Sequence, residues 1–158
     1  MFENKKSLVI TGLNQKLQPL FPIITNKREE DLIIINSVGP FISQPYGCLV
    51  RNVILAVYNE NIEDVFIIGE VETGSHESKK KELYSKLQDS GITVKTIHTI
   101  NYIEAVKPDF LAWLAGPADA KEAVQSSIKL LKSNPILPDS LPVYGYIVDV
   151  DSGEFKTV

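Results

Sequence analysis

Three short runs of aliphatic and β-branched residues limit what this chain can fold into: Ser7-Leu8-Val9-Ile10-Thr11, Asp31-Leu32-Ile33-Ile34-Ile35 and Val65-Phe66-Ile67-Ile68-Gly69. None alternates between apolar and polar residues. A strand with one face in water alternates, whereas a strand covered on both faces stays apolar, so these runs predict a parallel sheet between layers of helix. The first run stops at Gly12 and the second at Asn36-Ser37-Val38-Gly39-Pro40. A weaker run, Ile92-Thr93-Val94-Lys95-Thr96-Ile97, predicts a further strand.

Helical patterns fill the intervals. Leu49, Val53, Ala56 and Val57 make an apolar stripe between about Gly47 and Asn61. Lys79 to Ser90 is charged, with Leu83 and Leu87 four apart and Gly91 as a stop. Ala120, Val124, Ile128 and Leu131 mark a helix that Pro117 opens and Asn134-Pro135 closes. Val143 to Val150 is the last strand, followed by a turn at Asp151-Ser152-Gly153 and a short closing strand. Strands alternating with helices predict an α/β fold, a mostly parallel central sheet flanked by helices. The 158 residues carry no repeat, low-complexity tract or internal linker, so a single domain over 1–158 is expected.

With 44% hydrophobic and 23% charged residues, disordered, collagen-like and disulfide-rich classes fall away. The net charge of −4 argues against nucleic acid or an anionic membrane as the main partner. One cysteine, Cys48, makes neither an internal disulfide nor a multi-thiolate metal site. Neither a signal-peptide pattern nor a membrane-spanning run is visible, and a cytoplasmic location is expected.

Ligands of such sheets bind beyond the carboxyl ends of the strands, which selects Gly12 to Lys16, Asn36 to Gly39 and Gly69 to Glu77. Four segments in this order resemble the β-carbonic anhydrases, in particular the short prokaryotic type. Gly12-Leu13-Asn14-Gln15-Lys16 stands where that family has Cys-x-Asp-x-Arg. Asn36-Ser37-Val38-Gly39 stands for Arg-Asn-Ala-Gly, and Gly69-Glu70-Val71-Glu72-Thr73-Gly74 for Gly-His-x-x-Cys-Gly. Leu131 to Pro135 and Gly145 to Gly153 are similar to the family's C-terminal helix end, strand and turn. The resemblance covers nearly the whole chain and implies a homodimer.

It also implies a degenerate member. The family's zinc is held by two Cys and one His, and those positions are Gly12, Thr73 and Glu70 here. Catalytic zinc normally takes three protein ligands, and one carboxylate does not hold it. The family's neighbouring Asp and Arg become Asn14, which cannot act as an anionic ligand, and Lys16, which lacks the planar fork of Arg. Zinc lowers the pKa of bound water from 15.7 to about 7, worth on the order of 12 kcal/mol. General-base help from Glu70 or Glu72 offers roughly 10²–10⁴-fold, a small part of that. No zinc or other cofactor is therefore expected, and a binding, regulatory or assembly role is.

Other readings stay open beside this one. Glu70, Glu72, His76 and Glu77 fall within eight residues and suit a rebuilt oxygen-rich site for Mn²⁺, Mg²⁺ or Fe²⁺, with Glu70 and His76 as first ligands. An enzyme acting through Glu70, Glu72 and His76 on CO2, bicarbonate or another small electrophile is the alternative function. The plainer reading is a solvated loop whose acids sit near a helix N-terminus. Lys16 and Asn36 form either an anion pocket for bicarbonate or ordinary surface. Gly12 has a second explanation in backbone geometry. Cys48 reads as a small packing residue, His98 as a surface or satisfied histidine, and Trp113 as core or dimer contact. No dinucleotide or phosphate-loop glycine motif follows any strand.

Overall fold

The computed structural model describes residues 4–158. Five strands form one sheet: β1 (Lys6–Thr11), β2 (Leu32–Asn36), β3 (Ile62–Glu70), β4 (Val143–Val148) and β5 (Phe155–Thr157). Their order is β2-β1-β3-β4-β5, with the first four parallel and β5 antiparallel at the edge. Thr11 lies level with Asn36 of β2 on one side and Ile68 of β3 on the other.

Because successive residues point to opposite faces, each apolar run feeds two cores. Leu8, Ile10, Val65 and Ile67 meet Val50 and Val53 of α2 (Cys48–Asn59), with Val124 and Leu131 of α6 (Ala120–Lys132). Val9, Phe66, Ile68 and Val148 meet Leu17, Phe21 and Ile24 from the 3₁₀ helix Gln15–Leu20 and α1 (Phe21–Thr25). The absence of alternation in the runs thus has its cause in a sheet covered on both sides.

The chain forms two compact units, one made of the described residues up to Val71 together with Ala120–Val158, the other Glu72–Asp119. The second unit is helical: α3 (His76–Asp89), α4 (Val94–Tyr102) and α5 (Phe110–Ala115), with α5 packed on both others. The strand expected at Ile92 to Ile97 does not form. Thr93 caps a helix instead, its hydroxyl accepting the Thr96 N–H at 3.2 Å, and Val94, Ile97 and Ile100 share the three-residue spacing of one helix face. β-Branched residues favour strands, but this run has no neighbouring strand to pair with, and the cap decides. α3 also begins three residues before the expected Lys79, because Ser75 caps it. His76 and Glu77 are therefore first-turn helix residues.

α6 lies close against β3 and β4. A Cβ on Gly145 would stand 2.5 Å from Ile128 Cδ1 and 2.6 Å from Val124 Cγ1. Gly145→Ala is accordingly expected to destabilise the protein by about 1–3 kcal/mol through overpacking. Urea unfolding would show it as a lower midpoint with unchanged slope, and a midpoint within error of the parent would refute this packing.

At the amino-terminal end of the sheet, buried Ser7 donates its hydroxyl to Asp64 Oδ1 at 2.5 Å, and Lys27 pairs with Glu63. Burial is the largest influence on Asp64 and lifts its pKa above the usual 3.8, Glu63 adding to the rise while Ser7 and Lys27 oppose it. The folded chain therefore holds this proton more tightly than the unfolded one. Ionised Asp64 weighs against folding above its folded pKa, and the penalty vanishes as pH falls below the usual value. Asp64→Asn, which keeps an acceptor for Ser7, should raise the urea midpoint at pH 7 and lose that advantage below about pH 4. An equal or lower midpoint at pH 7 would count against it.

Candidate functional site

β1 leads through α1 to β2 on one side of it, and β2 leads through α2 to β3 on the other. The chain thus reverses its winding between β1 and β3, and the crevice beyond their carboxyl ends is where such sheets place ligands. Thr11, Gly12, Asn14 and Glu70 stand at this point.

Hydrogen bonds fix the three strand ends. Buried Thr11 donates its hydroxyl to the Ile68 carbonyl at 3.0 Å and accepts the Ser37 N–H on its own carbonyl at 2.9 Å. Asn36 donates its side-chain amide to the Gly12 carbonyl at 2.8 Å. Asn14 caps the 3₁₀ helix, its Oδ1 accepting the Lys16 N–H at 3.1 Å. That bond turns Nδ2 the other way, where it donates to Glu70 Oε1 at 3.3 Å. A neutral amide and a half-buried carboxylate, far apart in sequence, are thereby joined.

Gly12 does not owe its identity to the backbone. Its φ is not in the left-handed region, and a Cβ there would meet only Ser37 O and Gly39 N, both at 3.9 Å. The geometric explanation offered by the sequence is therefore set aside, and a side chain at position 12 would fit. Gly12→Ala should change stability by no more than about 0.5 kcal/mol, read by urea denaturation. A loss above about 1 kcal/mol would restore the backbone explanation.

The remaining candidates lie elsewhere or are engaged otherwise. Lys16 is exposed, and only its backbone N–H takes part in the crevice. Asn36 spends an amide N–H on Gly12. In the second unit Thr73 is exposed, Glu72 pairs with Lys79 at 3.6 Å, and His76 opens α3. Among the described residues, no group of three or more His, Cys, Asp and Glu is placed to hold a metal ion. Cys48 is exposed at the first position of α2 and is not the packing residue expected. His98 is exposed, and half-buried Trp113 lies 6.2 Å from the Phe110 ring. A cavity of about 310 Å³ bounded by Leu131, Leu137, Leu141 and Val143 opens at the opposite end of β4 from the crevice. Among the described residues no helix is long and apolar enough to cross a membrane.

No family model matches the chain. It is 29% identical to "Putative carbonic anhydrase YtiB" of Bacillus subtilis (strain 168), over 99% of this chain and 82% of that protein. The fold superposes on the β-carbonic anhydrase isoform I of Trichomonas vaginalis with a TM-score of 0.72 at 18% identity, covering 99% of this chain and 86% of the other. The carbonic anhydrase of Streptococcus mutans gives a TM-score of 0.65 at 19% identity, over 98% and 83%. This is a β-carbonic-anhydrase-like chain. In it the three positions that resemble zinc ligands hold a glycine without a donor, a threonine hydroxyl and the Asn14-bonded Glu70. That donor set does not fit a catalytic zinc, which takes three strong protein ligands and one open position. Sequence reasoning placed Asn14 and Glu70 in the site but had no means of seeing their bond. Leu13, Val38 and Val71 lie within the selected strand-end segments, but sequence reasoning assigned them no role of their own.

Proposed function

We propose that this β-carbonic-anhydrase-like protein works without zinc and does not hydrate CO2, keeping the fold for binding and assembly as a homodimer. The observation that carries this reading is the Asn14–Glu70 hydrogen bond between two positions that, by resemblance, belong to the metal's surroundings. With Gly12 beside them, it leaves nothing to generate hydroxide at neutral pH, a step that the metal makes possible by lowering the pKa of its bound water. Assembly is supported by apolar side chains left in water. Tyr102 is 87% exposed and Ile103 63%, and Ile97 is the buried apolar residue of the helical unit. Tyr102 and Ile103 are adjacent in sequence and offer apolar surface for a partner to cover.

Metal analysis of the purified, untagged protein, run beside a stopped-flow CO2 hydration assay, tests the proposal. The expected result is below about a tenth of an equivalent of any transition metal per chain, with hydration at the buffer rate. Close to one equivalent of zinc, manganese or iron, with hydration that follows the metal, would overturn it. In that event Glu70 and His76 are the first residues to replace. Light scattering of the same sample should give twice the monomer mass.

A further inference from the structure

The crevice between β1 and β3 has a polarity of its own. Glu70 carries a negative charge there, and its described partner is the neutral amide of Asn14. Among the described ion pairs none reaches Glu70. Since Asn14 Oδ1 is held by the Lys16 N–H, the amide cannot turn its oxygen toward a ligand, and Glu70 Oε2 keeps its acceptor capacity. Ser37 O stands 3.9 Å from where a Gly12 Cβ would be, and adds a second acceptor beside the open position. Acceptors beside position 12 suit a ligand rich in N–H donors.

Exposed apolar residues follow each of the three strand ends. Leu13, Val38 and Val71, each one or two residues beyond the end of β1, β2 or β3, are 60%, 87% and 52% exposed. A few directed polar groups within an apolar rim is the usual make-up of a small-molecule site. A divalent metal is poorly served, since it would have one carboxylate. Bicarbonate would meet the Glu70 charge, and Lys16, the cation nearest in sequence, is exposed and takes part through its backbone alone.

We propose that the crevice between β1 and β3 binds a small organic cation, with a guanidinium or primary ammonium head on Glu70 and an apolar body against Leu13, Val38 and Val71. This rests on the zinc-independent reading above, because zinc in the crevice would reverse its charge.

The test is an amide NMR titration of the full ¹⁵N-labelled chain, after metal analysis of the same sample, with methylguanidinium, n-butylguanidinium and bicarbonate at millimolar concentrations. Saturable shifts of the Gly12 amide and the Asn14 side-chain amide are expected with both guanidines. The butyl compound should bind at least about threefold more tightly through its buried methylenes. Glu70→Gln should weaken binding by about tenfold or more through loss of a charge-assisted bond, with Tm and the remaining spectrum preserved. Val38→Ser should remove the butyl advantage and leave methylguanidinium binding unchanged. Saturation by bicarbonate alone, or binding that ignores Glu70→Gln, would overturn the proposal. A metal-free protein that responds to neither guanidine overturns the cation site and leaves the zinc-independent reading standing. A zinc-loaded protein overturns both.

Discussion

β1 and β3 lie side by side although β2 and two helices separate them in sequence, and the remaining structure is organised around that seam. Leu8, Val9 and Ile10 are fully buried, as are Val65, Ile67 and Ile68, so the paired strands supply apolar surface to both cores at once. Such a seam forms only if helices cover it on both faces, which draws α2 and α6 to one side and α1 with its preceding 3₁₀ helix to the other. The same seam sets the site. β1 ends at Thr11, level with Ile68, and β3 runs on to Glu70, so the two following loops start close together, and the reversal of winding keeps any crossing helix out of the space between them.

Closeness of α6 to the sheet has a second consequence. Gly69 and Gly145 leave room for Val124 and Ile128, and that approach puts buried Ser127 against the segment after β2. Ser127 accepts the Ile42 N–H at 2.9 Å and donates to the Pro40 carbonyl at 3.1 Å. Satisfying both buried backbone groups with one hydroxyl ties the segment after β2 to the helix behind the sheet. The crevice is thus supported from the core and does not rest on loop contacts alone.

Chemically, the strand-end residues are separable from the packing that makes the fold. The two apolar cores and the tight α6 contact involve no side chain of Gly12, Glu70 or Thr73. Those positions are therefore open to change at little cost in stability, and fold likeness carries no activity with it. Beyond the ends of β1 and β3 stands a half-buried carboxylate, Glu70, that accepts a hydrogen bond from the capping Asn14.

Much of this was legible in the chain. Continuous apolar runs announce buried parallel strands because a doubly covered strand has no polar face, and Gly91 marks the end of α3 because its φ of +89° suits glycine. Strand ends, and hence Gly12, Asn14 and Glu70 as candidates, follow from the same runs. Ile92 to Ile97 misled because β-branched composition speaks of strands, while the outcome depends on whether a neighbouring strand exists to pair with. Long-range partnership is the general gap. The Asn14–Glu70 bond spans 56 positions, and the Ser127 bonds span 85 and 87, distances over which periodicity and propensity carry no information. The sequence by itself determined the layered α/β architecture and which side chains follow the strand ends, since burial pattern and side-chain chemistry are local properties. Only the tertiary structure decided which polar groups meet, which way Asn14 turns and that Gly12 is free of backbone strain, because those depend on where distant strands end relative to one another.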